Sequence, residues 1–144
     1  MSDFRTLVND GLKSLVTFPR TSEEPFLTVE FKAEFMALCP IPASPKPYGG
    51  DVIVRYCPKN LLVDWDSVQK FFADHKSMFL CAEDVAALVV EIMKATTECT
   101  NLQVDVAVTS AFHLPVHIVA SWDEQLEGIK ELGKRLESYG RPSS

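Results

Sequence analysis

The run Leu27 to Leu38 constrains this chain more than any other stretch. Leu27, Val29, Phe31, Ala33 and Phe35 alternate with Thr28, Glu30, Lys32 and Glu34. A period of two sends alternate side chains to opposite faces, so this is a strand with one apolar and one wet face. Such a strand belongs to an antiparallel sheet covered on one side only. It is expected to stop at Cys39-Pro40. The prolines from Pro40 to Pro47 read as a stiff loop outside any ladder. Gly49-Gly50 then reads as a turn into a second strand, Asp51 to Tyr56.

Two helices are expected next. Val68, Phe71, Phe72 and His75 share one helical face, with Asp66 as the expected cap. Val85, Leu88, Val89, Ile92 and Met93 form another, entered through Glu83-Asp84, where acids suit a helix N-terminus. Leu102, Val104, Val106 and Val108 alternate as a third strand, and Val116 to Ala120 make a fourth after Phe112-His113-Leu114-Pro115. Asp123 to about Ser138 reads as a closing helix with Leu126, Ile129, Leu132 and Leu136 on one stripe. Ahead of the first strand, Asp3 to Phe18 has helical spacing, and Thr17 to Pro25 reads as a linker. The order predicts an α+β layer: a four-stranded antiparallel sheet, two helices between its strand pairs, and a C-terminal helix. Residues 1–25 are expected to be an N-terminal extension, 26–121 the domain, and 122–144 the C-terminal helix and tail.

With 144 residues, the chain has the size of one domain. Its net charge of -6 argues against non-specific nucleic-acid binding, which needs a basic footprint. It has no apolar run of the ~18 residues a membrane span requires. The start, Met1-Ser2-Asp3-Phe4-Arg5, lacks the layout of a secretion signal, so a cytoplasmic location is expected. Cys39, Cys57, Cys81 and Cys99 are too widely spaced for a zinc site built from close ligand pairs; free thiols and no metal are expected.

Several residues could carry chemistry, each with a plainer alternative. Cys39, where a strand meets a proline loop, reads as a nucleophile or as a small buried residue. Glu83 reads as an ordinary helix-start acid, or as a carboxylate accepting two parallel hydrogen bonds from an amidine-like edge. His113 reads as an acid or base or as a polar loop residue. Tyr48 and Trp65 could stack on a planar ligand or simply pack. His75 and His117 fall on periodic positions and read as structural.

Taken in order, these residues resemble the 7-cyano-7-deazaguanine reductase family, the nitrile reductases of the queuosine pathway, in the tunnelling-fold group with GTP cyclohydrolase I. The resemblance spans roughly residues 26 to 120. It is carried by Phe35-Met36-Ala37-Leu38-Cys39-Pro40, by Val52-Ile53-Val54-Arg55-Tyr56-Cys57-Pro58, by Val63-Asp64 and Asp74-His75, and by Glu83-Asp84. It implies a tunnelling fold, Cys39 as the cysteine that attacks a nitrile carbon, and Glu83 as the anchor of the deazaguanine amidine edge. It also implies a homo-oligomeric ring, such as a decamer, with sites between subunits.

The chain departs from the family's pattern at several points. The family's proton-donating aspartate follows its Cys-Pro pair closely; here Pro42 to Tyr48 holds no acid, and Asp51 is the nearest. The lysine-bearing motif that binds NADPH is matched by Asp64-Trp65-Asp66-Ser67-Val68-Gln69-Lys70-Phe71, whose acids repel a phosphate. The family's arginine before a Gly-Gly pair is His113 here, and the histidine before its glutamate is Ala82. The expectation is therefore a non-redox enzyme with no cofactor, acting on a small 7-substituted 7-deazaguanine. Removal of a 7-carboxylate, with His113 or Asp51 as the proton donor, leads over amidine chemistry through a Cys39 thioimidate. An NADPH-dependent reductase using Lys46 or Lys70, and a non-catalytic deazapurine-binding module, are the alternatives.

Overall fold

The computed structural model describes residues 3–22, 26–40, 46–109 and 114–140, with side chains described as far as residue 137. The elements run α1 (Phe4–Ser14), β1 (Thr17–Pro19), β2 (Val29–Cys39), β3 (Lys46–Cys57), β4 (Leu61–Val63), α2 (Trp65–Asp74), α3 (Ala82–Thr97), β5 (Asn101–Val108), β6 (Val116–Asp123) and α4 (Glu124–Gly140). The main sheet is antiparallel with order β2-β3-β5-β6, and α2 and α3 fall between its two strand pairs, as the α+β expectation has it.

The alternation read from the sequence decides which face is covered. Ala33, Phe35, Ala37 and Cys39 of β2 are buried, together with Tyr48, Val52, Val54 and Tyr56 of β3 and Leu102, Val104 and Val106 of β5. Phe71 and Phe72 of α2 and Val85, Leu88, Val89, Ile92 and Met93 of α3 close the core over them. The other face carries polar rows such as Glu30–Arg55–Gln103 and Lys32–Ile53–Asp105. No helix among the described residues is long and apolar enough to cross a membrane.

The structure corrects three readings. Residues 17–19 are not linker: β1 pairs with β4, Thr17 opposite Val63. A three-residue edge strand ending in proline has no room to show a period. The expected N-terminal helix is α1; its Leu7, Val8 and Gly11 are buried, and the Gly11 position abuts Ile92 of α3. The α2 cap is Asp64, whose carboxylate accepts from the Asp66 N–H at 3.1 Å; Asp66 lies inside the first turn.

Finally, β3 begins at Lys46, so Pro47 and the Gly49-Gly50 pair are inside the ladder. Pro47 lies opposite Leu38, and the Leu38 N–H points away from β3 to the Met78 carbonyl at 2.8 Å. The pair therefore exchanges no hydrogen bonds, and the Pro47 nitrogen faces past the end of β5, which stops opposite Gly50. A residue that needs no N–H can be proline. Gly50 is required for a different reason: a Cβ there would sit 1.9 Å from the Ala107 carbonyl oxygen.

The outer edge of β2 is partly occupied. The Gln69 side-chain amide accepts from the Glu34 N–H at 2.9 Å and donates to the Glu34 carbonyl at 3.0 Å. Four residues on, Leu38 forms a parallel bridge with Phe79. That bridge draws the segment between α2 and α3 against the end of β2.

Candidate functional site: a thiol, phenol and carboxylate cluster

Cys39 continues the inward series of β2 and is buried at the strand's last position. Tyr48 pairs with Ala37 across the ladder, so it points to the same face, and its ring meets Phe35 edge-on at 5.9 Å between centroids. Its hydroxyl donates to the Leu80 carbonyl. The Leu38–Phe79 bridge is what makes that bond possible, because it delivers Leu80 beside β2. The next residue, Cys81, is the N-cap of α3; its carbonyl accepts from the Val85 N–H at 3.0 Å. Glu83 and Asp84 follow in the first turn, both exposed.

These groups feel one another. Burial pushes the Tyr48 phenol well above its usual range, and nearby Cys81, Cys39, Glu83 and Asp84 push it further. Burial likewise pushes the Cys81 thiol up to about 11; the Asp84 N–H counteracts this in part, while the Glu83 and Asp84 carboxylates add to it. Near neutral pH both Tyr48 and Cys81 hold their protons. A neutral thiol is a proton source, not a nucleophile.

The fold thus unites Cys39, Tyr48 and Glu83, and adds Cys81, which the sequence reading passed over. Its only sequence signal is a place immediately ahead of the acid-rich start of a helix. Lys46 stands across the ladder from Cys39, so its exposed side chain leaves the sheet on the same face. Asp51 is not brought to this cluster. It pairs with Glu34 and Ala107 and points to the opposite, polar face. Trp65 is also apart: it opens α2, is 59% exposed, and follows Val63, whose N–H donates to the Tyr56 hydroxyl at 3.0 Å. Tyr56 pairs with Val29, at the far end of β2 from Cys39, on the order of 30 Å away along the strand. His113 lies outside the described residues.

A cleft of about 710 Å³ lies at the other end of the sheet, beside α4, with Lys94, Trp122, Glu127 and Lys130 in its walls. Within it Lys94 meets Glu127 at 3.5 Å and lies 4.9 Å from the centre of the Trp122 ring. The convergence of two thiols, a phenol and a carboxylate favours the Cys39 end as the place for chemistry.

Neither a protein-family model nor a curated protein sequence matches the chain. Among solved structures it is similar to the archaeosine synthase QueF-Like in its apo form, with a TM-score of 0.57 and 21% identity over 68% of this chain and 94% of that one. The likeness establishes a shared α+β fold built on antiparallel strands.

Proposed function

We propose that this chain is a non-redox enzyme acting on a 7-substituted 7-deazaguanine, and that the reaction is removal of a 7-carboxylate. The observation that carries the reading is the cluster of Cys39, Tyr48, Cys81 and Glu83, in which the phenol and the Cys81 thiol are held protonated. Likeness to a fold whose solved example is named an archaeosine synthase supports the substrate class.

In this reading Glu83 holds the base. An exposed carboxylate accepts two parallel hydrogen bonds from an amidine edge. Lys46, on the Cys39 side, meets the substrate carboxylate. A proton is added at the ring carbon bearing that carboxylate, the carbon–carbon bond breaks, its electron pair returns to the ring, and carbon dioxide leaves. The neutral Cys81 thiol is one donor for that proton and His113 is another; water restores the donor. Tyr48, bonded to the Leu80 carbonyl, fixes the approach of Cys81 and Glu83 to Cys39.

A second reading rests on the position of Cys39 at a strand end opposite a lysine. There the thiol adds to the carbon of a 7-cyano group, giving a thioimidate that an amine then displaces.

One experiment separates these readings. The protein is incubated, without nicotinamide, with the 7-carboxy compound and separately with 7-cyano-7-deazaguanine, and both protein and ligand are read by mass spectrometry. Loss of carbon dioxide without a protein adduct is the expected result. An adduct equal in mass to the nitrile and absent in Cys39→Ala selects the thioimidate. Turnover of the nitrile only when NADPH is supplied selects a reductase. Binding without turnover leaves a deazapurine-binding module.

A further inference from the structure

His75 ends α2 and has an acceptor on each side of its ring. Its backbone N–H turns to the Phe72 carbonyl at 3.2 Å, which leaves the Phe71 carbonyl without its helical donor. The ring takes over that bond: Nδ1 lies 2.8 Å from the Phe71 carbonyl oxygen. Across the ring, Nε2 lies 3.2 Å from Oδ2 of Asp10 on α1. A neutral imidazole carries one hydrogen, so one of these oxygens would face a bare nitrogen lone pair. The imidazolium donates at both nitrogens and satisfies both.

Two further features favour the charged ring. It lies at the C-terminal end of α2, where the helix dipole favours a cation, and 4.5 Å from the centre of the Phe71 ring, whose face does the same. Its charged neighbours are Asp10 and Lys13 on α1, Lys70 and Asp74 on α2, and Lys76 just beyond. Lys70 is engaged by Asp74 at 2.8 Å, and among the described residues Asp10 alone of these bonds the ring. The His75 side chain is 19% exposed, so the contact is only partly open to water. His75 is thus a C-cap that also pins α1 to α2.

From His75 a run of backbone bonds leads to the candidate site. The His75 carbonyl accepts from the Met78 N–H at 3.2 Å, and the Met78 carbonyl accepts from the Leu38 N–H at 2.8 Å. Phe79 bridges Leu38, the Leu80 carbonyl accepts from the Tyr48 hydroxyl, and Cys81 follows as the N-cap of α3. Leu38 immediately precedes Cys39. We propose that His75, as an imidazolium bonded to Asp10, is a positioning residue for the Cys39 cluster, holding the Met78–Cys81 segment against β2. Protons then bind the latched state in preference to the loosened one, so the segment is held at low pH and released as pH rises. The link to turnover rests on the function proposed above; the latch itself does not.

The test needs no ligand. Hydrogen exchange of the Leu38 amide is followed by NMR at about pH 6 and about pH 8, corrected for the intrinsic rate. It is divided by that of Val104, which is paired on both sides in the middle of the sheet. In wild type the ratio is expected to rise roughly threefold or more with pH, and in His75→Gln and Asp10→Asn to stay level. His75→Lys keeps a cation at this place and should hold the ratio at its low value throughout. Proton–nitrogen spectra of the His75 ring, identified by its absence in His75→Gln, should show the second proton lost at a lower pH in Asp10→Asn than in wild type. A wild-type ratio indifferent to pH overturns the proposal. So does an equal rise in the Gln and Asn variants, or a ring that titrates alike with and without the Asp10 carboxylate. The Asp10 side chain is 41% exposed, so Asp10→Asn still decides the matter if His75→Gln does not fold. Failure of the 7-carboxy compound to lose carbon dioxide would remove the proposed function and leave these exchange results standing.

Discussion

Tyr48 and Leu80, thirty-two residues apart, are joined by a buried hydrogen bond from phenol to backbone carbonyl. The bond ties the start of β3 to the entry of α3 and so sets the spacing of Cys39, Cys81 and Glu83. Removing the hydroxyl leaves a buried acceptor without its partner. Tyr48→Phe is expected to destabilise the chain by about 1–3 kcal/mol, read from the urea midpoint at constant slope. An unchanged midpoint would show that the bond contributes nothing to the fold.

Glu83 is exposed and its substitution should barely touch stability. Glu83→Gln is expected to stay within about 0.5 kcal/mol of wild type in denaturation. A charged acceptor's bonds to a ligand are worth about 1.5–3 kcal/mol, so affinity for the 7-carboxy compound should fall by roughly ten- to a hundredfold. Calorimetric titration of the variant checks this. Equal affinity would remove Glu83 from the site.

High pH should weaken the fold through the same cluster. The Cys81 thiol, ordinarily near 9.0, is held at about 11 in the folded chain, so between those values the folded state binds more protons than the unfolded state. Its stabilising contribution is complete below pH 9 and is lost as pH rises through 11. The raised Tyr48 and Tyr56 phenols extend the loss in the same direction from pH 10 upward. Urea midpoints measured from pH 8 to pH 11 should decline, and Cys81→Ala should flatten the first part of the decline.

Two glycines test close packing. A Cβ at Gly11 would lie 2.3 Å from Ile92 Cδ1 and 2.8 Å from its Cγ1, so Gly11→Ala should cost about 1–3 kcal/mol. Ile92→Ala in the same chain should recover part of that loss, because the obstacle is a side chain. Gly50→Ala meets the Ala107 backbone, which no side-chain change can relieve. Melting temperatures of the three variants would show whether the Gly50 change is the more damaging.

Much of this fold was legible because its sheet has one wet face: Val29 to Cys39 and Leu102 to Val108 announce their strands by alternation alone. What escaped notice depended on partners distant in sequence. Pro47 reads as a ladder breaker until β5 is seen to end opposite Gly50, and Thr17–Pro19 is a strand only because β4 lies beside it. Cys39 and Glu83 were singled out through their motifs. Cys81 was not, because nothing in its neighbourhood along the chain reveals the bridge that carries it to β2. Asp51 looked near Cys39 in sequence, yet strand parity turns it to the other face.

Gln69 does for Glu34 what another strand would do, filling both its backbone valences with one amide. A stray strand arriving at β2 must first evict that amide, and further along it meets Phe79. The opposite border, β6, carries the bare Val119 side chain. Edge-to-edge pairing of newly made chains through β2 therefore meets an obstacle in addition to the Glu30, Lys32 and Glu34 charges the strand already carries.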